Sequence, residues 1–277
     1  MNEEKIYKGY KKISGGTDYI NEYMANIDVN DWYVNEYLII ENTDFEDKNK
    51  ESEMRWDGEK FVSLKLPPQK WIKGRNSLQR CALDMLNNPE ITICVVAGEV
   101  GGGKTALCLN MALRAVTQLG QQTSILGVRS PIGENDSATI GYLPGDMYSK
   151  TSMFFMPLAQ QLDGGIFELE SLQQRGVLDV TIPYFMKGLT LNHQICVCDE
   201  AEDLTEREIR LVGSRIGENS RIFFSGDYRQ GNRDSTTNNP LCKMCNIFKG
   251  NPMFGCIYLE EDVRSETSRM FAHLFQR

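Results

Sequence analysis

The feature that most restricts this 277-residue chain is one short run, Gly98-Glu-Val-Gly-Gly-Gly-Lys104-Thr105. It satisfies G-x-x-x-x-G-K-[ST], with an apolar segment before it and a helical one after it, the context that gives the pattern its meaning. Glycines allow backbone torsions that aim successive N–H groups inward as an anion nest, and the helix adds the partial positive charge of its N-terminus. Gly98, Gly101, Gly102, Gly103 and the backbone through Ala106 are therefore predicted to hold nucleotide phosphates. Lys104 is predicted to reach the β and γ phosphates, and the Thr105 hydroxyl to ligate Mg2+.

The rest of the chain alternates in a matching rhythm. Residues 76–87 read as a helix, 91–97 as a buried strand, 105–119 as a helix and 123–128 as a strand. Residues 153–162 and 171–175 look helical, 194–198 form a strand, 205–216 a helix capped by Thr205, and 221–224 another strand. Short apolar strands alternating with helices predict an α/β fold, a mostly parallel sheet covered on both faces, as in RecA-like P-loop NTPases.

The N-terminal part has a different character. Residues 32–40 read as a strand, followed by an acidic loop over 41–52, the tight-turn signal Asp57-Gly58 and a returning strand over 60–66. This predicts a small antiparallel β module. Residues 1–30 lack clear periodicity and read as a short helix or a loosely ordered arm. Pro67-Pro68 supplies the boundary, so residues 1–66 form an acidic arm and β module, and 67–277 the ATPase domain.

Charge follows the same division. The chain carries −8, and residues 1–60, with 15 Asp+Glu against 8 Lys+Arg, account for −7 of it. The near-neutral remainder permits the local basic surface that a nucleic-acid binder needs, but does not announce one. No window approaches the ~18 consecutive apolar residues of a membrane span. The opening residues lack the apolar stretch of a secretory signal, so a cytoplasmic location without membrane contact is expected. Of the eight cysteines, Cys94, Cys196 and Cys198 lie in apolar strands, where free Cys acts as a small core residue. Cys242-x-x-Cys245, with Cys256 downstream, is the one arrangement to weigh as a metal site. It lacks an obvious fourth ligand and has a common helical core spacing.

A second chemical signal lies at a strand end. Ile195-Cys-Val-Cys-Asp199-Glu200 is four apolar residues and then two acids, at the sheet edge where ligands of open parallel sheets bind. Asp199 is predicted to hold Mg2+ directly or through its water, and Glu200 to polarise the attacking water. Beyond the strand over 221–224, Asp227 and Gln230 are placed to sense the γ-phosphate. The expected reaction is NTP hydrolysis.

These residues together resemble the PhoH family, phosphate-starvation-associated ATPases whose core is similar to superfamily-one helicases. The resemblance covers roughly residues 75–275. Arg75-Asn76-Ser-Leu-Gln79 is similar to the family's adenine-reading segment, with Gln79 as the amide that reads the base edge. Ile140-Gly-Tyr-Leu-Pro144-Gly145-Asp146 resembles its most distinctive motif, and Met156-Pro-Leu also fits. Tyr184-Phe-Met-Lys-Gly-Leu-Thr190, Cys198-Asp-Glu-Ala-Glu-Asp203, Arg215-Ile-Gly-Glu-Asn-Ser220, Gly226-Asp227 with Gln230, and Glu261-Asp-Val-Arg264-Ser265 continue in register. The chain departs from the family where Asp-Glu-Ala-Gln-Asn is usual, having Glu202 and Asp203. It departs again where Arg-Gly-Arg is usual, having Lys187, Gly188 and Leu189.

The resemblance implies ATP as the nucleotide and coupling of hydrolysis to RNA or single-stranded DNA. A nucleotide-gated partner-recruiting protein, a small-molecule kinase and the ATPase of a packaging terminase are the competing readings. It also implies a closed homo-oligomeric ring, a hexamer, with ATP at each subunit boundary and Arg264 as the finger borrowed from a neighbour. Arg215 is the second candidate for that finger. The β module is similar to the linker that precedes the core in longer relatives beginning with a PIN ribonuclease domain. Residues 1–30 are too short for such a domain, so no ribonuclease activity is expected.

Overall fold

Strands of six apolar or small residues dominate the centre of the molecule, because a strand buried on both faces has no use for polar alternation. A computed structural model describes residues 6–45, 50–99, 101–130, 155–228 and 238–260. In chain order the elements are β1 (Tyr10–Gly15), α1 (Thr17–Ala25), β2 (Tyr37–Asn42), β3 (Glu51–Trp56), β4 (Phe61–Ser63), α2 (Ser77–Asn87), β5 (Ile93–Gly98), α3 (Lys104–Thr117) and β6 (Ser124–Arg129). They continue with α4 (Met156–Ala159), α5 (Gly165–Gln174), β7 (Leu178–Thr181), β8 (Gln194–Asp199), α6 (Glu206–Gly213), β9 (Arg221–Gly226), α7 (Pro240–Phe248) and β10 (Phe254–Leu259).

Six strands form one sheet in the order β10-β5-β9-β8-β6-β7, with every neighbouring pair parallel. Residues along β8 divide between its faces: Ile195 and Val197 join the core cluster under α2 and α3, and Cys196 and Cys198 the cluster under α7. The expected doubly covered parallel sheet is therefore present. Two of its strands lie outside the segments expected to be strands. β7 has four residues, one of them Asp179, and β10 is apolar but follows no phosphate or acid signal.

The N-terminal sheet corrects the expected antiparallel module. It has four strands in the order β1-β2-β3-β4, and β1 runs parallel to β2 with Tyr10 opposite Tyr37. The strand Tyr10-Lys-Lys-Ile-Ser-Gly lies inside the segment read as helix or loose arm. Adjacent lysines hide its alternation, and its partner strand supplies the hydrogen bonds that its side chains do not advertise. β2 is buried on both sides: Tyr37 and Ile39 enter the cluster beneath α2, and Leu38 and Ile40 pack with Trp32 and Trp56 near α1. Cys242 and Cys245 lie buried on α7, and the Tyr228 hydroxyl contacts the Sγ atoms of Cys245 (3.0 Å) and Cys256 (3.7 Å).

Candidate functional site

The phosphate loop is built by close backbone approach. At Gly98 φ is +139°, and a Cβ there would lie 2.1 Å from the Leu259 carbonyl oxygen of β10. Only glycine fits, and the Glu99 N–H donates to that same oxygen at 3.1 Å. Gly103, with φ +83°, turns the chain into α3 so that the helix begins at Lys104. The Lys104 ammonium donates to the Glu99 carbonyl at 2.9 Å, so it curls over the loop it belongs to. Gln79 on α2 supports the loop from behind. Its Nε2 donates to the Gly102 carbonyl at 2.9 Å, and its Oε1 accepts from the Arg75 N–H at 2.8 Å.

The acids converge on the same edge. Thr105 donates its hydroxyl to Asp199 Oδ1 at 2.7 Å, and Ser225 at the end of β9 donates to the same oxygen at 2.9 Å. Burial pushes the Asp199 carboxyl up, and the Thr105 hydroxyl and the Arg129 guanidinium pull it back. This set of hard oxygens, a hydroxyl beside a buried carboxylate at a phosphate-binding loop, fits Mg2+, which takes one or two protein oxygens and leaves the rest to water and phosphate.

Glu200 follows in the left-handed region (φ +47°, ψ +50°), a conformation that costs a non-glycine residue about 1–2 kcal/mol. Such strain, held at the residue after Asp199, is typical of functional positions. Two charged or titratable side chains flank Glu200 and Asp199. Arg129, the last residue of β6 and opposite Asp199 in register, reaches Asp199 Oδ2 at 3.4 Å and Glu200 Oε1 at 3.7 Å. Glu202 is 5% exposed, and a Cβ on Gly226 would lie 2.6 Å from its Oε2. Burial, with the nearby Glu200 carboxylate, pushes the Glu202 carboxyl up to about 9.

The structure thus brings together Gly98, Gly101, Gly102, Gly103, Lys104, Thr105, Gln79, Asp199 and Glu200, with Ala106 in the first turn of α3. Asp227 is buried just beyond β9. Arg215 follows α6, its guanidinium 3.4 Å from the Leu189 carbonyl. Gln230, Arg264 and the motif over residues 140–146 lie outside the described residues. Arg129 and Ser225 are site residues that the sequence motifs do not mark. The first has a signal, a charge closing an apolar strand: β6 extends one residue past the expected end at Val128, to Arg129. Ser225 has none, because its role depends on β9 lying beside β8.

One strand, β9, separates the phosphate-loop strand β5 from the acid-bearing strand β8. A parallel sheet with that order, a glycine loop closing on a helix and a hydroxyl–carboxylate pair across the loop defines a P-loop nucleotide-binding protein. Within that class the chain belongs to the PhoH family, whose model, described as PhoH-like protein, matches residues 71–276. Protein PhoH2 of Thermobispora bispora is 31% identical over 211 residues, covering 74% of this chain and 48% of that protein. Protein PhoH2 of Bacillus subtilis is 30% identical over 214 residues, covering 73% and 47%. A PhoH-like protein of Synechocystis is 28% identical over 174 residues, covering 62% and 52%. The chain spans about half the length of these curated relatives. Among the described residues, no helix is long and apolar enough to cross a membrane.

Proposed function

We propose that this chain is a magnesium-dependent ATP hydrolase whose turnover is coupled to RNA or single-stranded DNA in the cytoplasm. The observation that carries the hydrolase reading is the 2.7 Å contact between Thr105 of the phosphate loop and Asp199, with Glu200 as the next residue. Thr105 and Asp199 would hold the magnesium, which would offset charge on the phosphates. Lys104 leaves the Glu99 carbonyl for the β and γ phosphates, and the loop N–H groups from Gly101 to Ala106 cradle them. Glu200 orients the attacking water and takes its proton. On the family resemblance Gln230 senses the γ-phosphate and Gln79 reads the adenine edge, a role for which its buried amide must exchange its bonds to Gly102 and Arg75.

Glu200→Gln is expected to bind a fluorescent ATP analogue with wild-type affinity and to hydrolyse ATP roughly 10²–10⁴-fold more slowly, the usual contribution of a positioned general base. Wild-type turnover in that variant would remove Glu200 from its role. The coupling is tested by phosphate release with and without oligoribonucleotide or single-stranded DNA. Absence of both binding and stimulation at any salt concentration would favour nucleotide-gated recruitment of a protein partner, and a phosphorylated small acceptor would indicate a kinase.

A further inference from the structure

Arg129 is the one described cation that bridges the two acids of the site. Its guanidinium sits 3.4 Å from Asp199 Oδ2 and 3.7 Å from Glu200 Oε1, and its side chain is only 21% exposed. Asp199 Oδ1 is already engaged by Thr105 and Ser225, so Arg129 takes the oxygen that those hydroxyls leave. Two carboxylates on consecutive residues repel each other, and Asp199 is 3% exposed, where an uncompensated charge is costly. Register fixes the arrangement: β6 and β8 are neighbours, and Arg129 stands opposite Asp199.

We propose that Arg129 is a positioning residue that serves as the resident countercation of the two acids and competes with the divalent cation for them. The proposal rests on the reading of Asp199 and Glu200 given above. A metal ion entering without nucleotide must displace the guanidinium from Asp199. The metal delivered with a nucleotide brings its own phosphate ligands and overcomes that competition. Arg129 thereby ties metal loading to nucleotide loading.

The test titrates Mn2+ alone into nucleotide-free protein and follows the free ion by electron paramagnetic resonance. Arg129→Ala and Arg129→Gln are expected to bind Mn2+ roughly tenfold more tightly than wild type, the loss of about 1.4 kcal/mol of competition. Arg129→Lys, which keeps the charge, is expected to restore much of the weaker affinity. A merely structural arginine would on removal loosen the site and weaken binding. Unchanged or weaker Mn2+ affinity in both neutral variants overturns the proposal. ATP turnover of the wild type, measured in parallel, separates the two readings. Tighter Mn2+ binding in the variants of a protein that hydrolyses no ATP would support the countercation while removing the hydrolase. Unaltered metal binding in the variants of an active hydrolase would remove the countercation alone.

Discussion

At the scale of single residues, the site is a set of charges whose balance depends on burial. Asp199 and Glu202 are both nearly inaccessible, but they are treated differently. Asp199 has two hydroxyl donors and a guanidinium, which support a carboxylate. The Oε2 of Glu202 has no hydrogen-bond partner among the described residues, and its carboxyl faces the Glu200 charge. Glu202 therefore keeps its proton far above 4.5, up to about 9. Between those two values the folded protein holds a proton that the unfolded chain has released. Stability attributable to Glu202 is intact below pH 4.5 and falls as pH rises toward 9. Glu202→Gln removes that titration and keeps the shape. Its melting temperature is expected to exceed wild type by a margin that widens between pH 5 and pH 8.5. Parallel melting curves across that range would show that Glu202 titrates normally. The departure from the family's usual Gln is then chemically small near neutral pH, because a protonated carboxyl, like an amide, can donate.

At the scale of elements, the phosphate loop depends on a strand that carries no motif of its own. β10 pairs with β5 along its whole length, and its last residue, Leu259, lies against Gly98 and Gly102. The two glycines are not equivalent. A methyl at Gly98 meets the Leu259 carbonyl at 2.1 Å in a backbone conformation closed to L side chains, whereas at Gly102 it meets Leu259 Cβ at 3.1 Å and Cδ1 at 3.3 Å, contacts relieved by a shift of a few tenths of an ångström. Gly98→Ala is expected to destabilise the nucleotide-free protein by about 2–4 kcal/mol, from strain and displaced backbone. Gly102→Ala is expected to cost less than about 1 kcal/mol. Urea unfolding measures both, and a loss below about 1 kcal/mol at Gly98 would show that the close approach of β10 does not restrict the loop. Elsewhere the elements are tied by one local device and one that joins residues far apart in the chain. Thr205 and Glu208 form a capping box that starts α6. Arg221, buried in β9, donates to the carbonyls of Leu86, Asn88 and Ile91, closing the C-terminal end of α2.

At the scale of the whole molecule, the acidic N-terminal segment is joined to the large sheet. Asp84 of α2 accepts hydrogen bonds from the Tyr37 hydroxyl (2.8 Å), Arg55 Nε (3.0 Å) and the Lys65 N–H (2.6 Å). Asn35 donates to the carbonyls of Pro252 and Phe254 beside β10. The same element that supports the phosphate loop thus also receives the N-terminal sheet. The described residues hold one phosphate loop and one acid pair, so the proposed hydrolase, if it uses a finger arginine, takes it from the same chain or from a neighbour. A cationic finger is worth roughly 10³-fold or more in rate where a phosphoryl-transfer site depends on it. Borrowing from each neighbour in one direction is a heterologous contact that closes into a ring or runs on as a filament. The hexamer that the family resemblance implies, with Arg264 as finger, predicts that Lys104→Ala and Arg264→Ala, each inactive alone, recover part of the activity when mixed. No recovery, with a monomer active in solution, would remove the ring.

The sequence by itself determined the features written in local pattern. The phosphate loop, the strand ending on Asp199-Glu200, the capped helices and the alternation that makes a doubly covered parallel sheet each lie within a few contiguous residues, where torsional preference and hydrophobic period act directly. Tertiary structure decided what depends on which strands become neighbours. Because β9 separates β5 from β8, Ser225 reaches Asp199, and because β6 flanks β8, Arg129 reaches both acids. Because β10 closes on β5, Gly98 has no room for a side chain. β1 joins β2 in parallel although its own residues, two of them adjacent lysines, show little strand character. Strand order is set by the global minimum of burial and backbone pairing, to which residues far apart in the chain contribute together. Neither periodicity nor spacing within one segment carries that information.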